Sequence, residues 1–201
     1  MNVYVESNFV LELVFQQEQS TSCEGILTLC KTGDIQLFVP SYCLAEPHEK
    51  LRRQNSSRQE LQRTLNAELR QLARTSTYTD RVRSIQDITT LLVQSTEDER
   101  QRLDKYREQL LETATIIPLT ATILRTAATY EVVYNFVPQD AIVYASVVYQ
   151  LAQNANLENC FLNRNSRDFD NPDIVEALAL LNCKMIPKFA DGYRYIQTKL
   201  N

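Results

Sequence analysis

Short β-branched and aromatic runs alternate with segments of helical period at both ends of this chain, and the middle lacks them. Val3-Tyr4-Val5 reads as a buried strand. Ser7 or Asn8 is placed to cap the helix that follows, whose apolar positions Phe9, Val10, Leu13 and Val14 recur at helical spacing. A second helix carries Cys23, Ile26, Leu27 and Cys30 and ends near Gly33. Ile35 to Val39 is a strand closed by Pro40. After the middle, the alternation resumes with a strand at Thr115–Leu119 and helices over Ile123–Val133 and from Pro138 onward. A strand at Cys160–Leu162, a helix at Asp173–Leu181, a strand at Cys183–Ile186 and a final helix at Phe189–Leu200 complete it. Such alternation predicts an α/β fold with a small parallel sheet flanked by helices.

Residues 49–113 carry no strand pattern and form an all-helical insertion. Leu61, Leu65, Leu69 and Leu72 make one stripe, with Arg58, Arg63, Arg70 and Arg74 on other faces. Thr75-Ser76-Thr77 interrupts the pattern. A second helix is expected over Val82–Leu92 and a third over Leu103–Leu111, the latter capped by Ser95 ahead of Glu97 and Asp98. This helical arm folds on the core or on a second copy of the chain, which would make a homo-oligomer.

Charge follows the same division. Residues 49–107 hold thirteen Lys and Arg against nine Asp and Glu, whereas the rest of the chain holds eight against sixteen. Two readings stand for this basic middle: a solvated helical face with alternating charge, or a phosphate-binding arm beside an acidic site.

Several chemistries are excluded at once. Three scattered glycines, Gly25, Gly33 and Gly192, leave no Gly-rich phosphate loop or dinucleotide fingerprint. The single histidine, His48, argues against a His-ligated zinc or a Ser-His-Asp triad. It also lies two residues from Glu46, a spacing that does not share a helix face, so it is left out of the catalytic set. Five cysteines, none in a C-x-x-C pair, read as reduced core thiols of a cytoplasmic protein. No apolar run approaches the ~20 residues of a spanning helix, so no membrane partner is expected. The opening residues have no basic region before Glu6, and no signal peptide is expected. Tyr42, Tyr144 and Tyr149 are expected to pack rather than to stack bases.

Active groups of an open parallel sheet gather beyond the carboxyl ends of its strands. Those positions hold Glu6, then Asn163, Asn165 and Asp168, with Glu46 one turn into the helix after Pro40 and Asp140 in the first turn of its helix. Taken singly, each acid is most often a surface or capping group. Together, carboxylates without His or Cys partners select a hard cation, Mg²⁺ or Mn²⁺, able to support phosphodiester hydrolysis.

Four short motifs lie in order along the chain: Val3-Tyr4-Val5-Glu6-Ser7-Asn8-Phe9, Leu44-Ala45-Glu46, Pro138-Gln139-Asp140-Ala141, and Phe161 through Asn163-Arg164-Asn165 to Asp168-Phe169. In them the sequence resembles the PIN-domain (PilT N-terminus-like) ribonuclease family, which includes the toxins of many prokaryotic toxin–antitoxin pairs. The resemblance covers residues 1–48 and 115–188 and implies one PIN-like domain over 1–201, with 49–113 as an arm within it. Glu6 stands where the family usually has Asp, and Asn163 where it usually has Thr. Glu46 and Asp140 match its second and third acids, Ser7 and Asn8 its first motif, and Asn165 and Asp168 its last.

The resemblance implies a metal-dependent endoribonuclease acting on single-stranded RNA. Glu6, Glu46 and Asp140 would bind Mg²⁺ or Mn²⁺, Asn165 or Asp168 would complete the shell, and Ser7, Asn8 and Asn163 would support them. The expected partners are RNA and an antitoxin-like protein. Two alternatives remain: a catalytically weak or inactive PIN-like module binding RNA or a partner protein through its arginine-rich arm, and an assembly protein built on that arm.

Overall fold

The computed structural model describes residues 1–154, 156–165, 169 and 171–200; within 79–89, side chains are described at Val82, Ile85 and Ile88. Five strands, β1 (Asn2–Val5), β2 (Gln36–Pro40), β3 (Thr115–Ile117), β4 (Asn159–Leu162) and β5 (Cys183–Ile186), form one sheet in the order β3-β2-β1-β4-β5. All four pairings are parallel, with Val3 opposite Leu37 on one side and Cys160 on the other. Parallel sheets must bury both faces, and β1 and β4 accordingly expose nothing. Pro40 costs little because it is the last residue of its strand.

The described helices are α1 (Ser7–Phe15), α2 (Ser20–Lys31), α3 (Tyr42–Leu72), α4 (Thr79–Thr113), α5 (Ala121–Val133), α6 (Pro138–Gln153), α7 (Pro172–Leu180) and α8 (Phe189–Leu200). The mixed α/β architecture and parallel sheet agree with the sequence reading. Gly192 permits the close docking of α8 on β4, because a Cβ there would lie 2.5 Å from a Leu162 methyl. Beyond β4, the Phe169 ring packs among Phe136, Tyr144 and Phe161.

Two local expectations are corrected. The cap of α1 is Glu6, whose side chain accepts the Asn8 N–H, rather than Ser7 or Asn8. Residues 79–113 form one helix, not two. Ser95 and Thr96 donate their hydroxyls to the Leu92 carbonyl within the helix, and no Gly or Pro is there to stop it. The leucine stripe is only half covered: Leu69 is buried, but Leu61 and Leu72 are exposed.

The arm is an antiparallel helical hairpin, turning through a 3₁₀ segment at Ser76–Tyr78. Its base belongs to the main core through Leu51, Leu103, Tyr106 and Leu110. Arg58 locks its middle, donating two hydrogen bonds to Glu99 at 2.6 and 2.9 Å and a third to Thr96. All five cysteines are unpaired and buried, and burial pushes the thiols of Cys23, Cys43, Cys160 and Cys183 upward, away from reactivity. No described helix is long and apolar enough to cross a membrane.

Candidate functional site

In this strand order the chain runs from β1 outward to β2 and β3, then returns to β4 on the other side of β1. The crevice beyond the carboxyl ends of β1 and β4 is therefore the topological switch point of the sheet. A cleft of about 300 Å³ lies there, lined by Glu6, Ser7, Asn8, Glu46, Asp140 and Asn165. Each acid comes from a different element: Glu6 from the end of β1, Glu46 from the start of α3, and Asp140 from the first turn of α6.

Glu6 is 6% exposed, and both its oxygens are held by backbone donors: Oε2 accepts the Asn8 N–H at 2.7 Å, Oε1 the Arg164 N–H at 3.1 Å. Burial nevertheless outweighs these bonds, and with the Asp140 charge adding to it, the carboxyl is raised from 4.5 to about 7. Glu46 accepts the Ser7 hydroxyl proton. Asp140 accepts from the Asn165 amide at 3.0 Å and sits where the α6 dipole favours a negative charge. Asn163 is buried and works one step back: its Oδ1 accepts the Asn165 N–H at 2.8 Å, while its Nδ2 is buried with no hydrogen-bond partner among the described residues. Asp168 lies outside the described residues.

The donor chemistry suits a hard divalent cation, since the side chains are carboxylates and amides whose lone pairs are only partly used. The spacing is looser than a closed ligand cage: among the described residues, no three acids, histidines or cysteines stand close enough together to grip one ion. Mg²⁺ takes one or two carboxylates and keeps several waters, so an open cleft of this kind fits it better than a cage would.

Two polar residues of the cleft were not among the site residues read from sequence. Lys50 and Gln139 also line it. Lys50 lies four residues after Glu46 on α3, the spacing that shares a helix face, and that rule would have found it where His48 at two residues fails. His48 instead bonds Arg107, with 2.7 Å between the two nitrogens, at the base of the arm. Tyr144 is buried, Tyr42 half-buried on the rim of a neighbouring hollow, and Tyr149 exposed rather than packed.

The arginines of the arm divide. Arg58 is spent on Glu99, and Arg102 donates to the Val14 carbonyl at 2.6 Å, so neither faces a ligand. Arg53, Arg63, Arg70 and Arg74 are exposed.

No curated protein matches the chain. Among solved structures, it is similar to a chain of VapBC2 from Rickettsia felis, crystallised bound to a DNA fragment from the promoter. That likeness has 13% identity and a TM-score of 0.45, over 92% of this chain and 98% of that one. The family model of the PIN domain matches residues 3–169, running through the arm and the first four strands. PIN domains are generally nucleases that use divalent metals. With that match over most of its length, the chain belongs to the PIN domain family.

Proposed function

We propose that this protein is a metal-dependent endoribonuclease that hydrolyses single-stranded RNA in the cleft at the ends of β1 and β4. The observation that supports it most is the meeting of Glu6, Glu46 and Asp140, from three separate elements, around one cleft at the switch point.

In this reading, one or two of Asp140, Glu46 and Glu6 would bind Mg²⁺ or Mn²⁺ directly, and the rest would reach it through its waters. A divalent cation there supplies positive charge against the phosphate oxygens and lowers the pKa of water. The protein's own groups do the rest. Ser7 turns the Glu46 carboxylate toward the cleft, and Asn165 does the same for Asp140. The Asn8 and Arg164 amides fix Glu6, and Asn163 fixes Asn165. Asp168 joins the set by its motif. Lys50 at the cleft offers an RNA phosphate a cation, and Arg53 extends that charge into the adjoining hollow beside Tyr42.

The whole of 1–201 acts as one PIN-like domain with 49–113 as its arm. Five buried free thiols fit a reducing, cytoplasmic setting. The exposed Leu61, Leu72, Ile88 and Leu91 of the arm offer a surface to an antitoxin-like protein or to a second copy.

A second reading, a catalytically weak or inactive module that binds RNA or a protein through the arm, is favoured by the open spacing of the carboxylates. One experiment separates them: cleavage of a mixed single-stranded RNA pool with Mn²⁺, with EDTA, and with Asp140→Asn and Glu46→Gln. The nuclease reading requires metal-dependent cleavage that falls at least a hundredfold in Asp140→Asn. Intact cleavage in both variants overturns the site. Absence of cleavage by folded protein whose thermal unfolding Mn²⁺ does not shift leaves the binding module.

A further inference from the structure

The loop after β4 does the orienting in this cleft. Its Arg164 N–H donates to Glu6 at 3.1 Å and its Asn165 amide donates to Asp140 at 3.0 Å. On the β5 side, the loop is tied down by the Asn163 N–H, bonded to the Ile186 carbonyl at 3.1 Å. Farther along, Phe169 is packed among Phe136, Tyr144 and Phe161, and between these two anchors the Arg164 side chain runs away from the cleft to α1. There its Nη1 makes an ion pair with Glu12 Oε1, and its Nη2 lies 3.9 Å from Glu18 on the surface.

Glu12 is fully buried, and its second oxygen accepts the Gln19 N–H at 2.9 Å. A carboxylate so deep is costly unless a cation meets it, and among the described residues Arg164 is the cation in contact. Since Glu6 caps α1 and Glu12 lies six residues along it, Arg164 grips the same helix twice, by its backbone at one end and its guanidinium about 9 Å further on. Two attachments fix both the position and the tilt of the loop; the backbone bond alone fixes only one point.

We propose that Arg164 is a positioning residue: its clamp on buried Glu12 sets the loop that aims Glu6 and Asp140 at the cation. The effect on catalysis rests on the nuclease reading above, whereas the clamp itself is testable without it. Removal of the clamp leaves substrate contacts in place and loosens the aim of the two acids. Partners of this indirect kind are typically worth about 10- to 100-fold in metal affinity or activity.

The primary variant is Glu12→Gln, which keeps the shape and the acceptor for Gln19 but removes the charge. The double variant Glu12→Gln with Arg164→Met leaves no buried charge unpaired, and covers the case in which a single change destabilises the fold. Hydrogen exchange of the Arg164 and Asn165 amides is measured in metal-free protein against the Phe161 amide in β4. The clamp predicts exchange at Arg164 and Asn165 faster by about tenfold or more in both variants with Phe161 unchanged, and near-normal protection in Arg164→Lys, which retains a cation. Where the wild type cleaves RNA, kcat falls about 10- to 100-fold with KM within twofold, and the Kd for Mn²⁺ rises about tenfold.

Unchanged exchange, or faster exchange shared equally by Phe161, overturns the clamp, because the ion pair then contributes only to general stability. Local loosening with kcat and the Mn²⁺ Kd unchanged overturns the positioning role. A wild type that neither cleaves RNA nor binds Mn²⁺ defeats the nuclease reading and with it the catalytic half of the proposal; the exchange result still decides the clamp.

Discussion

The cleft end of the sheet and the outer half of the arm are built on different principles. At the cleft, Glu6 is buried with a donor on each oxygen, and Phe161, Leu162, Val5 and Tyr4 beneath it are wholly covered. On the outer half of the arm, among the described residues, two helices pack only on each other, so Leu69 and Val82 are covered while Leu61, Ile88 and Leu91 face water. A side chain in the sheet layer is fixed by neighbours on several sides, whereas one on a lone hairpin is fixed on one. The first arrangement positions chemical groups to fractions of an ångström; the second presents a surface.

The largest contrast is in stability. Leu103, where the arm roots in the core, is 1% exposed, and Leu61 farther out is 55% exposed. Leu103→Ala is expected to cost about 4 kcal/mol in urea unfolding, through lost burial and the cavity left behind. Leu61→Ala is expected to stay within about 0.5 kcal/mol. Equal costs would mean that something covers Leu61 in solution, and the mass of the protein would then show whether a second copy does so.

The cleft carries a pH effect of roughly 3 kcal/mol. Burial raises Glu6 to about 7 from 4.5, so between these values the folded protein holds a proton that the unfolded chain has lost. Stability from this group is therefore full below pH 4.5 and declines as pH rises through 7. The expected measurement is a metal-free unfolding series from pH 4.5 to 7.5, in which Glu6→Gln removes the decline. Mn²⁺ added to the wild type should reduce it as well, since a cation beside Glu6 favours the charged carboxylate.

The Arg58–Glu99 pair is the arm's counterpart of that buried acid, but paired. Glu99→Ala is expected to cost about 2 kcal/mol, less than a fully buried pair because Arg58 keeps contact with water. Replacing both, Glu99→Ala with Arg58→Met, should recover much of the loss in denaturant titration. Failure to recover it would make packing around Thr96, rather than the ion pair, the source of the arm's rigidity.

The sequence made the sheet legible and the arm much less so, for physical reasons. Strands as short as Val3-Tyr4-Val5 announce themselves because a parallel sheet demands β-branched and aromatic residues on both faces. The meeting of the acids in one cleft was legible because topology places strand ends together, which brings Glu46 and Asp140 there from elements far apart in the chain. Hidden were the contacts that depend on side-chain reach. Nothing in the order of residues says that Glu6 caps α1, that Arg164 turns back to Glu12, or that Arg58 folds inward to Glu99 while Arg63 stays out. The continuous α4 was missed because Ser95 can cap a helix or bond within one, and only the neighbouring turn decides which.

The smallest expected effect separates the two readings of the basic arm. Arg63 and Arg70 are exposed on α3, seven residues and about 10 Å apart on nearly the same face, and neither has a carboxylate partner among the described residues. If RNA phosphates lie along this face, each arginine replaced by alanine removes one released counterion. The salt dependence of binding then flattens by about 0.7 in log Kd per log salt for each, while unfolding free energy changes by less than about 0.5 kcal/mol. If the face is only wetted, both quantities stay where they were, and the cation that matters for RNA is Lys50 at the cleft. Titration of a short single-stranded RNA at four salt concentrations, with Arg63→Ala, Arg70→Ala and Lys50→Ala in parallel, decides between them. A flatter slope from Lys50→Ala alone would confine RNA recognition to the end of the sheet and leave the arm as a surface for protein contacts.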